Sequence, residues 1–87
     1  MLQTSDPKSE AISSLTSEAD AALMFISMAT FERCPTTRTG YIRMARSHYD
    51  TALRLAAHVL LSADRREALY GKLGGIKSKL EALGERF

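Results

Sequence analysis

The sequence predicts an all-α fold, an antiparallel up-down-up bundle of three helices. Apolar residues recur at helical spacing through almost the whole 87-residue chain, and residues that end helices occur in only two places. A chain of this length forms one domain, residues 1–87, in which we expect residues 1–5 to be a flexible N-terminus. The predicted helices cover about residues 7–33, 37–61 and 63–83.

The first predicted helix begins at Pro7 with Asp6 as its N-cap, because aspartate accepts backbone N–H bonds at helix starts and proline suits the first helical position. One apolar stripe follows the helical period and contains Ile12, Leu15, Ala19, Ala22, Ile26 and Ala29. A second stripe flanks it and contains Ala21, Met24, Phe25, Met28 and Phe31. So wide an apolar surface has to be covered on more than one side, by the other helices or by a subunit partner.

Cys34 and Pro35 predict a turn, because proline disfavours helical conformation in the residue before it. We expect the second helix to begin at Thr36 or Thr37 and to continue to about Leu61. Its apolar stripe contains Ile42, Ala45, Tyr49, Ala52, Ala56 and Val59, extended by Leu53 and Leu60.

Ser62 is the predicted N-cap of the third helix, with Asp64 in the first turn, and Gly84 is its predicted C-terminal stop. The apolar seam of this helix contains Leu69, Leu73, Ile76, Leu80, Leu83 and Phe87. Short connections force sequential helices to pack antiparallel, which favours the three-helix bundle. A helical hairpin that completes its core only by forming a homodimer is the alternative architecture.

The net charge of +2 is unevenly distributed, since the first helix is acidic and the other two are basic. Such an asymmetry most simply favours one helix pairing over its alternatives. A second hypothesis is a basic face of helices 2 and 3 that binds nucleic acid electrostatically. The candidate residues for this face are Arg43, Arg46, Arg54, Arg65, Lys72 and Lys79.

Glycines inside the third helix each cost roughly 1 kcal/mol relative to alanine, so they call for an explanation. Small residues form a stripe opposite the leucine seam, and this candidate partner interface contains Ala68, Gly71, Gly75, Ser78 and Ala82. Three interpretations stay open: neutral substitutions on an exposed face, a helix interface, or a kink at Gly74 and Gly75.

Neither catalysis nor a metal or cofactor site is predicted. His48 and His58 do not share a helical face, and Cys34 has no histidine near it in sequence, which favours an inert surface cysteine. The longest apolar run, Ala21 to Ile26, is far shorter than the roughly 20 residues of a membrane span. With one cysteine and no secretory pattern, the expected compartment is the cytoplasm.

The run from Ala45 to Leu53, followed by the leucine seam of the third helix, resembles the helical pairs of tetratricopeptide-like and MIT-like domains. In those domains a Tyr-x-x-Ala-Leu motif, here Tyr49, Ala52 and Leu53, packs neighbouring helices. The chain also resembles short uncharacterised bacterial helical proteins. The resemblance implies a non-enzymatic module that binds a helix or peptide in a groove, here between helices 2 and 3, or that associates with a second copy.

Overall fold

A computed structural model describes residues 7–87 and shows the predicted three-helix bundle. The helices are α1 (Pro7–Phe31), α2 (Pro35–Ala57) and α3 (Ala63–Ala82). The predicted N-cap Asp6 and the expected flexible segment 1–5 lie outside the described residues. None of the three helices is long and apolar enough to cross a membrane.

The first connection lies earlier in the chain than predicted, because α1 ends at Phe31 rather than near Arg33 and α2 begins at Pro35 itself. Proline suits the first position of a helix, where its missing N–H leaves no hydrogen bond unmade. Cys34 is therefore the N-cap residue, in extended conformation. The chain turns within residues 32–34, where the Cys34 N–H donates to Glu32 Oε1 at 3.0 Å.

The second connection is longer than predicted, because α2 ends at Ala57 rather than near Leu61. At the C-cap, the His58 N–H bonds to the Leu55 carbonyl at 3.0 Å, which tightens the last turn and ends the helix. Leu60 lies beyond this turn and is 85% exposed, so its predicted place in the apolar stripe of α2 is wrong.

The predicted N-cap of α3, Ser62, and its predicted C-terminal stop, Gly84, are both confirmed. The Ser62 hydroxyl accepts a bond from the Arg65 N–H at 3.3 Å, as an N-cap does. Gly84 has a φ of +102°, a conformation that glycine adopts without strain. The Glu85 N–H then bonds to the Leu80 carbonyl at 3.0 Å, which completes a Schellman cap.

The core is built from the predicted first stripe of α1, the stripe of α2 and the seam of α3, but Leu53 and Phe87 are 40% and 47% exposed and Val59 lies beyond the end of α2. Six of the twelve buried hydrophobic residues are alanines, all of them on α1 or α2. Small side chains let helix backbones approach closely, and α1 and α2 form the most extensive contact of the bundle. The third helix packs across both through Leu73, Ile76 and Leu80, all buried.

Two cross-helix contacts show the direction of the helices. Glu18 meets His48, and Phe25 meets Tyr41, so a step forward along α1 corresponds to a step back along α2. These helices are therefore antiparallel. On the other side of α1, Asp20 meets Lys72 and the later residue Ser27 lines a cleft with Lys79, so α3 runs parallel to α1.

Candidate functional site

The second apolar stripe of α1 is only partly covered in the bundle. Phe25 is half-buried, but Met24 is 53% exposed and Met28 is 38% exposed. On α2, Met44 is 46% exposed and lies one turn from both Tyr41 and His48. We call this surface, formed by Met24, Phe25, Met28, Tyr41 and Met44, the methionine face.

Aromatic contacts hold the centre of the methionine face rigid. The Phe25 ring stacks on the His48 imidazole with centroids 5.6 Å apart and an interplanar angle of 6°. The Tyr41 ring lies on the other side, with its centroid 6.1 Å from that of Phe25. Because these contacts join α1 to α2, they fix the relative positions of the two helices that carry the exposed methionines.

A polar contact orients the His48 ring. Its Nδ1 lies 2.5 Å from Oε2 of Glu18, and both side chains are about 30% exposed. A carboxylate at this position accepts a hydrogen bond from Nδ1–H and fixes the plane of the imidazole against Phe25. The pair was not predicted from the sequence, because it depends on the register between two helices rather than on the spacing within one.

The α1 part of the methionine face lies in a stretch of sequence without charged residues. No charged residue occurs in α1 from Ala21 to Phe31, and on α2 the turns around Met44 present Gly40, Tyr41, Ser47 and His48. Beside it among the described residues, the Glu18 carboxylate is hydrogen-bonded to His48, and the Glu32 carboxylate, one turn after Met28, accepts a bond from the Cys34 N–H. A mostly apolar surface of this kind is suited to contact with another protein surface.

A groove runs between α1 and α3 on the opposite side of α1. Two apolar clefts lie along it, of about 370 and 440 Å³, the first near the beginnings of both helices and the second near their ends. Between them, Lys72 Nζ lies 2.6 Å from Oδ1 of Asp20. The groove predicted for a helix or peptide was instead the one between α2 and α3.

The structure separates the six residues of the predicted basic face into two groups. Arg65, Lys72 and Lys79 of α3 border the α1–α3 groove. The arginines of α2 line a different depression, formed by α2 alone and containing Arg43, Arg46, Ser47, Asp50, Leu53 and Arg54. These groups do not form one basic surface, and Arg46 is already engaged by carboxylates.

Arg46 anchors the residues that follow α3. Its Nε donates to Asp50 at 3.1 Å, and its Nη1 donates to Glu85 Oε1 at 3.2 Å and to the Arg86 carbonyl at 3.0 Å. Burial lowers the pKa of Arg46, but the bonds to Asp50 and Glu85 outweigh burial and leave that pKa above its usual value. Residues 85–87 therefore lie against α2 at one end of the bundle.

The predicted small-residue interface faces outwards and is uncovered. Ala68, Gly71, Gly75, Ser78 and Ala82 are all exposed, and a Cβ at Gly71, Gly74 or Gly75 would meet no neighbouring atom within 4 Å. The helix continues without interruption through Gly74 and Gly75. Within the bundle, nothing among the described residues requires a small residue at these positions.

Two other groups have altered acidity. The Thr37 hydroxyl, followed by the backbone N–H groups of Thr37 and Thr36, lowers the pKa of the exposed Cys34 thiol at the start of α2. Burial, assisted by the negative charge of Asp50, raises the pKa of Tyr49. Within residues 7–87, no three histidine, cysteine, aspartate or glutamate side chains cluster so that they could hold a metal ion.

Comparison of the chain with protein-family models, with characterised proteins and with solved structures finds no match. The two surfaces that the fold presents, the methionine face and the α1–α3 groove, therefore have to be interpreted from their own chemistry.

Proposed function

We propose that the protein is a non-enzymatic helical interaction module that uses the methionine face to pack against a second helical surface. The observation that carries this proposal is the exposure of Met24, Met28 and Met44 around a rigid aromatic centre. Methionine is flexible and polarisable, so it adapts to a partner surface, while the fixed rings limit the entropy lost on binding. The resemblance to tetratricopeptide-like and MIT-like domains implies a role of the same class.

A second copy of the chain is the partner that suits this face best. Two identical surfaces meet across a two-fold axis, so any unpaired charge on one copy would approach the same charge on the other. The methionine face limits this repulsion, because α1 has no charged residue from Ala21 to Phe31 and the Glu18 carboxylate is hydrogen-bonded to His48. In the resulting homodimer, α1 and α2 of both copies would form a four-helix layer over the exposed methionines.

Light scattering after size exclusion tests this proposal. The wild-type chain should elute at about twice 9.6 kDa, with a mass that does not depend on salt because the contact is apolar. Met28→Glu and Met44→Glu should each yield a monomer of unchanged helicity, because they place carboxylates in the centre of the contact. Leu53→Glu is the matched control, since Leu53 is 40% exposed on another side of α2.

Two results would overturn the proposal. One is a wild-type mass of 9.6 kDa at about 1 mM, a concentration at which even a weak homodimer forms. The other is a dimer that Leu53→Glu dissociates and Met28→Glu leaves intact.

A further inference from the structure

The α1–α3 groove has the dimensions of a helix-binding surface. The α1 residues that line the first cleft fall within residues 12–16, and those that line the second fall within residues 23–31. The centres of the two clefts are about 13 residues apart along α1, which is about 20 Å at 1.5 Å per residue. Each cleft has the volume of a site for large apolar side chains. An incoming helix can fill both with apolar residues about two heptads apart.

Apolar side chains line the floor and walls of both clefts. Ile12, Leu61 and Leu69 line the first, and Leu23, Ile26 and Phe31 line the second. Phe31 is 82% exposed, although it belongs to the apolar stripe that the sequence predicts to be covered. A partner in the groove would bury this ring, which the bundle itself leaves in water.

The charge along the groove is one-sided. Arg65, Lys72 and Lys79 follow one another at intervals of seven residues on α3, so they lie on one line with about 10 Å between successive residues. Asp20 is the only carboxylate on the α1 side of the groove within the described residues, and it pairs with Lys72. None of the described residues forms an ion pair with Arg65 or Lys79.

We propose that the α1–α3 groove binds an amphipathic helix that places acidic residues at heptad intervals beside its apolar stripe. Its apolar residues fill the two clefts, and its carboxylates face the line formed by Arg65, Lys72 and Lys79. The bound helix becomes the fourth member of a four-helix bundle. This surface is separate from the methionine face, so the proposal does not depend on the homodimer.

A pair of synthetic peptides tests the proposal. The first has about three heptads with leucine at the core positions and glutamate at the flanking e and g positions, which prevents it from pairing with itself. The second carries lysine in place of glutamate. Fluorescence anisotropy should show binding of the glutamate peptide and at least tenfold weaker binding of the lysine peptide. Raising the salt from about 50 to 500 mM should weaken the first interaction.

Variants of the protein locate the site. Arg65→Glu combined with Lys79→Glu should weaken binding of the glutamate peptide at least tenfold. The control Arg54→Glu, on α2, should leave the affinity for this peptide unchanged. Phe31→Ser should weaken binding equally at low and high salt, because it removes an apolar contact. Arg65 and Lys79 belong to α3 and lie away from the methionine face, so the double variant should not change the mass of the chain in solution.

Equal affinity for the two peptides, or an effect of Arg54→Glu as large as that of the double variant, would overturn the proposal. A labelled single-stranded oligonucleotide provides the remaining comparison. If it bound more tightly than the glutamate peptide and lost affinity in the double variant, the groove would be a phosphate-binding surface rather than a helix-binding one.

Discussion

His48 stacks flat on Phe25 across the interface between α1 and α2, with the two ring planes only 6° apart. Glu18, about two turns before Phe25 in α1, holds the imidazole in this orientation. The contact joins the two helices outside the core of buried alanines. It fixes the relative positions of the helices that carry the exposed methionines.

Replacing Phe25 with leucine should destabilise the protein by about 1 kcal/mol, because leucine retains apolar area but loses both ring contacts. Urea unfolding followed by circular dichroism measures the change. The control is Phe31→Leu, at a side chain that is 82% exposed, where we expect a change within about 0.5 kcal/mol. Equal effects at the two positions would show that the stack contributes nothing specific.

Replacing Ala22 with leucine should lower the free energy of unfolding by about 1–3 kcal/mol. Ala22 is fully buried, and a larger side chain forces backbones apart in a packed interior. Ala57→Leu, at an exposed position in the last turn of α2, should change stability by no more than about 0.5 kcal/mol. Thermal or urea unfolding distinguishes the two, and a neutral Ala22→Leu would contradict close packing of α1 on α2.

Arg46→Gln should release residues 85–87 from α2 and lower the stability of the protein. The Arg46 guanidinium carbon lies 3.9 Å from the centroid of the Phe87 ring, and the Tyr49 ring meets Phe87 edge-on at 5.4 Å. Nuclear Overhauser contacts between the two rings should therefore disappear in the variant. Arg43→Gln is the control, and persistence of the ring contacts in Arg46→Gln would show that Arg46 does not anchor this segment.

Cys34 should react with iodoacetamide faster at neutral pH than an unstructured cysteine, because a lowered pKa raises the fraction of thiolate. Thr37→Val should move the midpoint of the rate–pH profile upwards, since it removes the largest cause of the lowered pKa. Thr39→Val serves as the control, because the Thr39 hydroxyl bonds to the Pro35 carbonyl instead. A profile unchanged by Thr37→Val would disprove the assignment.

Gly75→Ala should stabilise the protein by about 1 kcal/mol, because alanine is the better helix former and its methyl group enters open space. Gly84→Ala should do the opposite, since Gly84 has a φ of +102° that an alanine adopts only with strain. Thermal unfolding of both variants measures whether each substitution raises or lowers the stability of the protein. A destabilised Gly75→Ala of unchanged helicity would indicate that the small-residue stripe is covered by a partner after all.

Much of the fold could be predicted from the sequence because the apolar periodicity within each helix is strong. Residues of the predicted stripes, such as Leu15, Tyr49 and Leu73, are buried. The end of α2 could not be predicted this way, since Val59 and Leu60 continue the apolar pattern beyond the last turn of the helix. Periodicity reports which face of a helix is apolar, and the capping geometry decides where the helix stops.

The candidate surfaces were harder to predict, because they depend on how the helices are arranged around one another. The heptad spacing of Arg65, Lys72 and Lys79 correctly indicates one line on α3. That this line faces α1 rather than the arginines of α2 follows only from the packing of Leu73 and its neighbours. Glu18 and His48, 30 residues apart in sequence, are likewise paired only by the register of α1 against α2.

The three helices contact one another unequally, and this difference bears on the order in which they separate when the bundle unfolds. The α1–α2 hairpin joins segments that follow one another in sequence through a three-residue turn, so we expect it to form early and to separate last. The third helix has less contact with either neighbour and follows the longer connection at residues 58–62, so we expect it to detach first. If a detached α3 docked on the hairpin of another copy, residues 58–62 would be the hinge of a domain-swapped pair.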